Sequence, residues 1–258
     1  MFLQVGALRL EAIACGPPPA RASTLVFLHE GLGCAAQWRD LPAQLAQATG
    51  CGALAYSRAG YGASDSVPLP RPLDYMQREG VDVLPGVLAA AGVRDAILVG
   101  HSDGASIAIA HAGGTPALNV RALVLLAPHV FCEDISVRSI AAARADYLSG
   151  DLRARLERWH GKNTECAFWG WNQAWLDPGF RDWNIEAYLP RLRVPVLAIQ
   201  GEDDEYGTRA QVEAIRRQAG AGAEVLLLPE CGHAPQRDQP AATQAAIAAF
   251  IERLRARG

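Results

Sequence analysis

A serine hydroxyl is a weak nucleophile until a neighbouring base takes its proton. Ser102 sits where that can happen, in Gly100-His101-Ser102-Asp103-Gly104. The five residues follow the apolar run Ala96–Val99 and precede a helical stretch that opens near Ala105. A G-x-S-x-G between strand and helix makes a sharp turn that lifts the hydroxyl clear of the sheet. Glycines on both sides avoid Cβ clashes in such a turn. The helix N-terminus behind it favours developing negative charge. An ordinary turn serine is the alternative reading of the same residues.

The base that Ser102 needs is a histidine late in the chain, if the order is serine, acid, histidine. His233, in Cys231-Gly232-His233-Ala234-Pro235, follows the apolar run Val225–Leu228 and has that position. The other histidines fit less well. His29 ends a strand, His101 neighbours the serine, His111 lies within a helix, and His129 and His160 border a different kind of segment. The acid that orients the base should follow the run Val194–Gln200. That loop holds four carboxylates, Glu202, Asp203, Asp204 and Glu205, and spacing alone leaves the choice among them open. The loop after Thr24–Leu28 reads His29-Glu30-Gly31-Leu32-Gly33. One backbone N–H there, with that of Asp103, would hold the oxyanion of a tetrahedral intermediate. His29-Glu30 opens like a zinc-protease motif, but the position of the second histidine is Gly33, so no metal site is expected.

These residues need a scaffold that places strand ends together. Nearly continuous apolar runs at Thr24–Leu28, Ala53–Tyr56, Ala96–Val99, Ala122–Leu126, Val194–Gln200 and Val225–Leu228 suit strands covered on both faces. Helical stretches are expected near 35–48, 75–91, 103–112, 208–219 and 240–255. In the last of these, Ile247, Phe250, Ile251 and Leu254 share one face. The alternation predicts an α/β fold with a mostly parallel, doubly wound sheet. Phe2–Ala14, broken by Gly6, suits an antiparallel hairpin at its edge. From about Phe131 to Arg193 no strand is expected, and five of the six tryptophans fall there. Pro195 reads as lying inside the strand that follows. The expected organisation is a core of residues 1–130 and 194–258 with a helical lid, 131–193, inserted. Phe168, Trp171 and Trp175 fall at i, i+3 and i+7, one aromatic face of a helix. That face either roofs the pocket above Ser102 and binds substrate or only anchors the lid.

Composition narrows the partners. The chain has 258 residues, half of them apolar, and a formal charge of −3. A nucleic-acid protein would need a basic surface, so no nucleic-acid partner is expected. The longest apolar run, Ala245 to Ile251, falls far short of the roughly 20 residues that span a bilayer. No basic cluster and apolar core open the sequence as a signal peptide would. Six cysteines, none in a C-x-x-C pair, read as free thiols of a cytoplasmic protein.

Taken in order along the chain, these parts resemble the α/β-hydrolase superfamily over nearly the whole length outside the lid. Gly201-x-x-Asp204 is similar to that family's acid motif, and Gly232-His233-x-Pro235 to its histidine loop. The resemblance therefore selects Asp204 over Asp203. It implies a His-Gly pair in the oxyanion loop, where this chain has Glu30. An ungapped match makes Gly31 the donor, and a shifted loop makes it Leu32. An aspartate nucleophile, as in the superfamily's dehalogenases and epoxide hydrolases, is not expected at Ser102. Ser102-Asp103-Gly104 is also similar to the elbow of valacyclovirase-type hydrolases, which implies that Asp103 binds a substrate amino group. The alternative is that its side chain only packs or hydrogen-bonds locally. The expected protein is a serine hydrolase of a small, largely apolar carboxylic ester, with no cofactor and only a small-molecule substrate as partner. A C–C bond hydrolase or lactonase of ring-cleavage products would use the same triad. A ligand receptor without catalysis is the remoter alternative.

Overall fold

Both faces of the predicted strands are apolar because both are covered. In the computed structural model, which describes residues 1–114 and 119–256, eight strands form one sheet in the order β1-β2-β4-β3-β5-β6-β7-β8. The strands are β1 (Phe2–Val5), β2 (Leu8–Cys15), β3 (Thr24–Leu28), β4 (Gly52–Tyr56), β5 (Ala96–His101), β6 (Val120–Leu126), β7 (Val196–Gly201) and β8 (Ala223–Leu228). From β4 to β8 all neighbours run parallel, and the β1–β2 hairpin, turning through Gly6, adds an antiparallel edge. Side chains alternate between two cores. Leu25, Phe27, Ile97, Val99 and Val124 enter one, and Val26, Leu28, Leu98, Leu123 and Leu125 the other.

The first core is closed by α1 (Leu41–Thr49) and the C-terminal helix. A continuous helical stretch, α2 (Tyr75–Arg78), a π turn (Glu79–Val83) and α3 (Leu84–Ala90), closes the second with α4 (Asp103–Gly114). Between β6 and β7 lie α5 (Asp134–Ser149), α6 (Leu152–His160) and α7 (Thr164–Leu176), followed by two short 3-10 turns. After β7 come α8 (Ala210–Gln218), a single turn α9 (Pro235–Asp238) and α10 (Pro240–Ala256). Ile247, Phe250 and Ile251 of α10 are fully covered.

Two expectations are corrected. Pro195 precedes β7 instead of lying in it. It has no N–H for a ladder, but its carbonyl accepts the Leu123 N–H at 3.0 Å. The stretch 35–48 is not one helix. A 3-10 turn, Ala35–Trp38, is separated from α1 by Arg39, whose φ of 51° interrupts helical geometry.

The segment between β6 and β7 is pinned to the loops after β3 and β4. His160 donates Nε2–H to the Leu32 carbonyl at 2.9 Å and accepts the Gly62 N–H at Nδ1 at 3.0 Å. Asn163 donates to the carbonyls of Gly62 and Ser64. Its own aromatic rings hold it together, with Tyr147 stacked on Phe168 and Phe180 on Trp183.

Candidate active site

The turn from β5 into α4 is steric in origin. A Cβ on Gly100 would lie 2.3 Å from the Gly104 carbonyl oxygen, and one on Gly104 only 1.9 Å from that of Leu28. Neither position accepts a side chain. Between them Ser102 is held at φ 53°, a left-handed conformation that costs an L-residue on the order of 1–3 kcal/mol. Its N–H donates to the Leu126 carbonyl at 2.9 Å, which leaves the side chain at the C-terminal end of the sheet.

The loop after β8 brings His233 to this serine. Its Nε2 lies 2.9 Å from Ser102 Oγ and its Nδ1 2.8 Å from Asp204 Oδ1. A carboxylate can only accept, so Nδ1 carries the proton and Nε2 is free to receive the one on Oγ. Asp204 is buried, and three further donors hold it: the N–H groups of Tyr206 and Gly207, and Gln200 Nε2 at 2.9 Å. Burial works against the Asp204 charge. The hydrogen bond and charge of His233 and the Tyr206 N–H outweigh it and hold the carboxyl below its ordinary range. The other carboxylates of the loop have other places. Glu205 accepts the His233 N–H at 3.1 Å, and Glu202 and Asp203 are exposed.

Gly31 and Leu32 line the same cavity as Ser102 and His233, a space of about 670 Å³. Among the described residues no group accepts the backbone N–H of Gly31, Leu32 or Asp103. The Glu30–Gly31 peptide is the anchored one. The Glu30 carbonyl accepts from His29 Nδ1 at 2.8 Å, Arg58 Nη2 at 2.9 Å and the Gly33 N–H at 3.2 Å. A planar trans peptide with its carbonyl so bound directs the Gly31 N–H the opposite way. A Cβ on Gly31 would sit 2.2 Å from the Trp171 indole, so glycine is required here.

Trp171 and Trp175 of α7 line the cavity, along with Ile140, Leu152, Leu156 and Trp159. Phe168 does not. It is fully buried, its ring 3.6 Å from that of Tyr147, and it packs α7 onto α5. A strict i, i+3, i+7 face is too coarse here, because the cavity meets only the C-terminal half of that face. The cavity lining also includes the polar side chains of Gln37, Arg39, Gln44 and Gln244.

The Asp103 side chain points away from the cavity. It is fully buried, accepts the Tyr75 hydroxyl and lies 3.8 Å from Arg58 Nη2. Burial lifts its carboxyl above the usual range, against the pull of Arg58 and Tyr75. This is local packing of the side chain, with no open face for a substrate amine. Tyr75 in turn accepts the Trp175 Nε1–H at 3.1 Å.

Several neighbours of the site carried no motif in the sequence. His101 donates Nε2–H to the His233 carbonyl at 2.7 Å, and its Nδ1 faces Gln236 at 3.0 Å and Glu30 at 3.5 Å. His129 stands 5.4 Å from His233, ring to ring, and burial, with the His233 charge beside it, pushes it down to about 3. Arg58 sits in Ser57-Arg58-Ala59-Gly60, and an arginine inside so small-sided a loop was the one signal available. Among the described residues no group of three or more histidines, cysteines or acids could hold a metal ion. No described helix is long and apolar enough to cross a membrane.

An eight-stranded, mostly parallel sheet with a serine on the β5–α4 turn defines an α/β-hydrolase fold. Residues 25–246 match the profile of the alpha/beta hydrolase family, and the chain belongs to that family. No curated protein matches it. Solved structures of the same fold include the enol-lactonase from Burkholderia xenovorans LB400, 18% identical over 98% of this chain and 100% of that one, with a TM-score of 0.75. The 2-hydroxy-6-oxo-6-phenylhexa-2,4-dienoate hydrolase from Rhodococcus sp. strain RHA1 is 19% identical over 97% of each chain, with a TM-score of 0.78. A thermophilic esterase from Thermogutta terrifontis is 17% identical over 98% of each, with a TM-score of 0.74.

Proposed function

We propose that the protein is a serine hydrolase that cleaves a small carboxylic ester with a largely apolar acyl group through an acyl-enzyme. The observation that carries this reading is the contact series Ser102 Oγ, His233 Nε2, His233 Nδ1, Asp204 Oδ1, at 2.9 and 2.8 Å. Ser102 Oγ attacks the acyl carbon while its proton passes to His233 Nε2. Asp204 keeps the imidazole in the needed tautomer and stabilises the cation formed. The N–H groups of Gly31 and Asp103 receive the oxyanion. Collapse expels the alcohol, which takes its proton from His233, and a water molecule then repeats the sequence on the acyl-enzyme. Trp171 and Trp175 offer the acyl group an apolar wall, and the 131–193 segment acts as the lid that carries it.

A fluorophosphonate forms a stable adduct on an activated serine. It should label the protein at Ser102, and Ser102→Ala should abolish the labelling. An unlabelled native protein would overturn the reading. The same triad serves lactones and C–C bonds, and the enol-lactonase and the dienoate hydrolase share this fold. Turnover of a panel of p-nitrophenyl esters, lactones and vinylogous diketones ranks the three. Esters should lead.

A further inference from the structure

Arg58 lies behind the cavity, outside the triad, with 1% of its side chain exposed. Its contacts fall on the Glu30–Gly31 peptide and on the side chain of Asp103, and the proposed mechanism takes its two oxyanion N–H groups from Gly31 and Asp103. Nη2 donates to the Glu30 carbonyl at 2.9 Å, the oxygen of the peptide whose other end is the Gly31 N–H. The same Nη2 lies 3.8 Å from the carboxyl of Asp103, the residue that owns the second N–H. Arg58 also reaches the first peptide through His29. The Arg58 backbone N–H donates to His29 Nε2 at 3.0 Å, and Nε faces the same atom at 3.4 Å. That leaves the His29 proton on Nδ1, which donates to the Glu30 carbonyl. Burial, with the Arg58 charge beside it, keeps His29 well below its usual pKa, so the ring stays neutral and keeps this tautomer.

A buried ion pair is a poor investment for stability alone, because desolvation cancels most of the attraction. Burial works against the Arg58 charge here, and nearby negative groups, Asp103 and Glu79 among them, outweigh it, so the guanidinium stays charged. A rigid planar guanidinium fixes Nη2 between Glu30 and Asp103 while Nε faces His29, and Nη1 has no hydrogen-bond partner among the described residues. We propose that Arg58 is the positioning residue of the oxyanion hole, a strut that sets the Gly31 and Asp103 N–H groups relative to one another. This rests on the serine hydrolase reading. It assigns Arg58 no contact with substrate.

The test compares Arg58→Lys with the native protein, every rate being expressed per serine labelled by fluorophosphonate. Lysine keeps the charge but loses the rigid plane that holds Nη2 at Glu30 and Asp103 and Nε at His29. On p-nitrophenyl butyrate kcat should fall about 30-fold, since misplacing a catalytic group by about 1 Å can cost on the order of 10²-fold. KM should stay within about twofold. Inhibition by 1,1,1-trifluoro-2-octanone, which adds Ser102 Oγ to its carbonyl carbon and leaves an oxyanion in the hole, should weaken by a factor similar to the fall in kcat. If Arg58→Lys does not fold, the pair Arg58→Met with Asp103→Asn removes both buried charges together and should show the same two losses. A folded variant with a lowered Tm but unchanged kcat per labelled serine and unchanged ketone inhibition would overturn the proposal. Native protein that no fluorophosphonate labels would overturn the hydrolase reading first, and this inference with it.

Discussion

Ser102, Asp204 and His233 ride on the loops after β5, β7 and β8; near neighbours in sequence hold the first two, and Asp204, Glu205 and His101 hold His233. Gly100 and Gly104 leave the serine turn one path. Asp204 is held by Gln200, Tyr206 and Gly207, all within four residues. Gly31, on the loop after β3, is held quite differently. Arg58 from the loop after β4, His160 from α6 and Trp171 from α7 set its neighbourhood, at separations of 27 to 140 residues by number. The proposed triad is thus set by the strand-end loops, through contacts within each loop and between them. The proposed oxyanion half is assembled by tertiary contacts, two of them from the 131–193 segment that carries the apolar wall. That segment also reaches the Asp204 loop, where Ser136 and Ser139 donate to the Tyr206 and Glu205 carbonyls.

The sharpest contrast is in the proposed triad. Ser102→Ala and His233→Ala should each lower kcat by at least about 10³-fold with little change in Tm, and the double variant should be little worse than either, since triad members act as a unit. Near-normal turnover by a folded single variant would remove the triad from the comparison altogether.

Phe168→Ala should strike stability instead, by about 3–5 kcal/mol as for a large buried aromatic, with substrate ranking unchanged. Thermal and denaturant melts beside an acyl-length series measure both. A changed ranking at constant stability would move Phe168 into the pocket.

Gly31→Ala should cost about 10² in kcat, comparable with losing one oxyanion donor. The new methyl meets the Trp171 indole, so adding Trp171→Ala should restore part of the loss. Steady-state kinetics of the two variants decide this. No recovery would mean that Trp171 does not set the oxyanion loop. Trp171→Ala and Trp175→Ala alone should shift the preference between short and bulky acyl esters by about 1–3 kcal/mol.

The smallest effect is in acid. Asp204 has a folded-state pKa below its ordinary value near about 3.9, so its ionised form stabilises the native state above that pH. That contribution is lost as pH falls through the folded pKa. The Tm gap between native protein and Asp204→Asn should therefore be wider at pH 6 than at pH 3, by differential scanning calorimetry. A gap that is constant with pH would contradict the hydrogen-bonded carboxylate.

Much of the fold was legible because its causes are short-ranged. Thr24–Leu28 was read with its observed bounds, since a strand covered on both faces has to be apolar at every position. Ends were read less well. Pro195 was placed inside β7, and the break at Arg39 gave no signal in side-chain type. In the site, G-x-S-x-G and the order serine, acid, histidine pointed to Ser102, His233 and a loop of four carboxylates, and the fold brings Ser102, His233 and one of the four within hydrogen-bond distance. The choice between Asp203 and Asp204 came from family resemblance, because adjacent carboxylates look alike until a sheet aims one of them.

Periodicity and glycine placement were enough, without coordinates, to determine an α/β sheet and a serine on its β5–α4 turn. Both depend on sterics and burial within a few residues. Tertiary structure alone decided that Phe168 packs while Trp171 and Trp175 line the cavity, that the Asp103 carboxyl turns inward, and that Arg58 reaches the Glu30 carbonyl and the Asp103 carboxyl. These depend on which distant side chains fill the same volume, and no local pattern encodes a partner dozens of residues away.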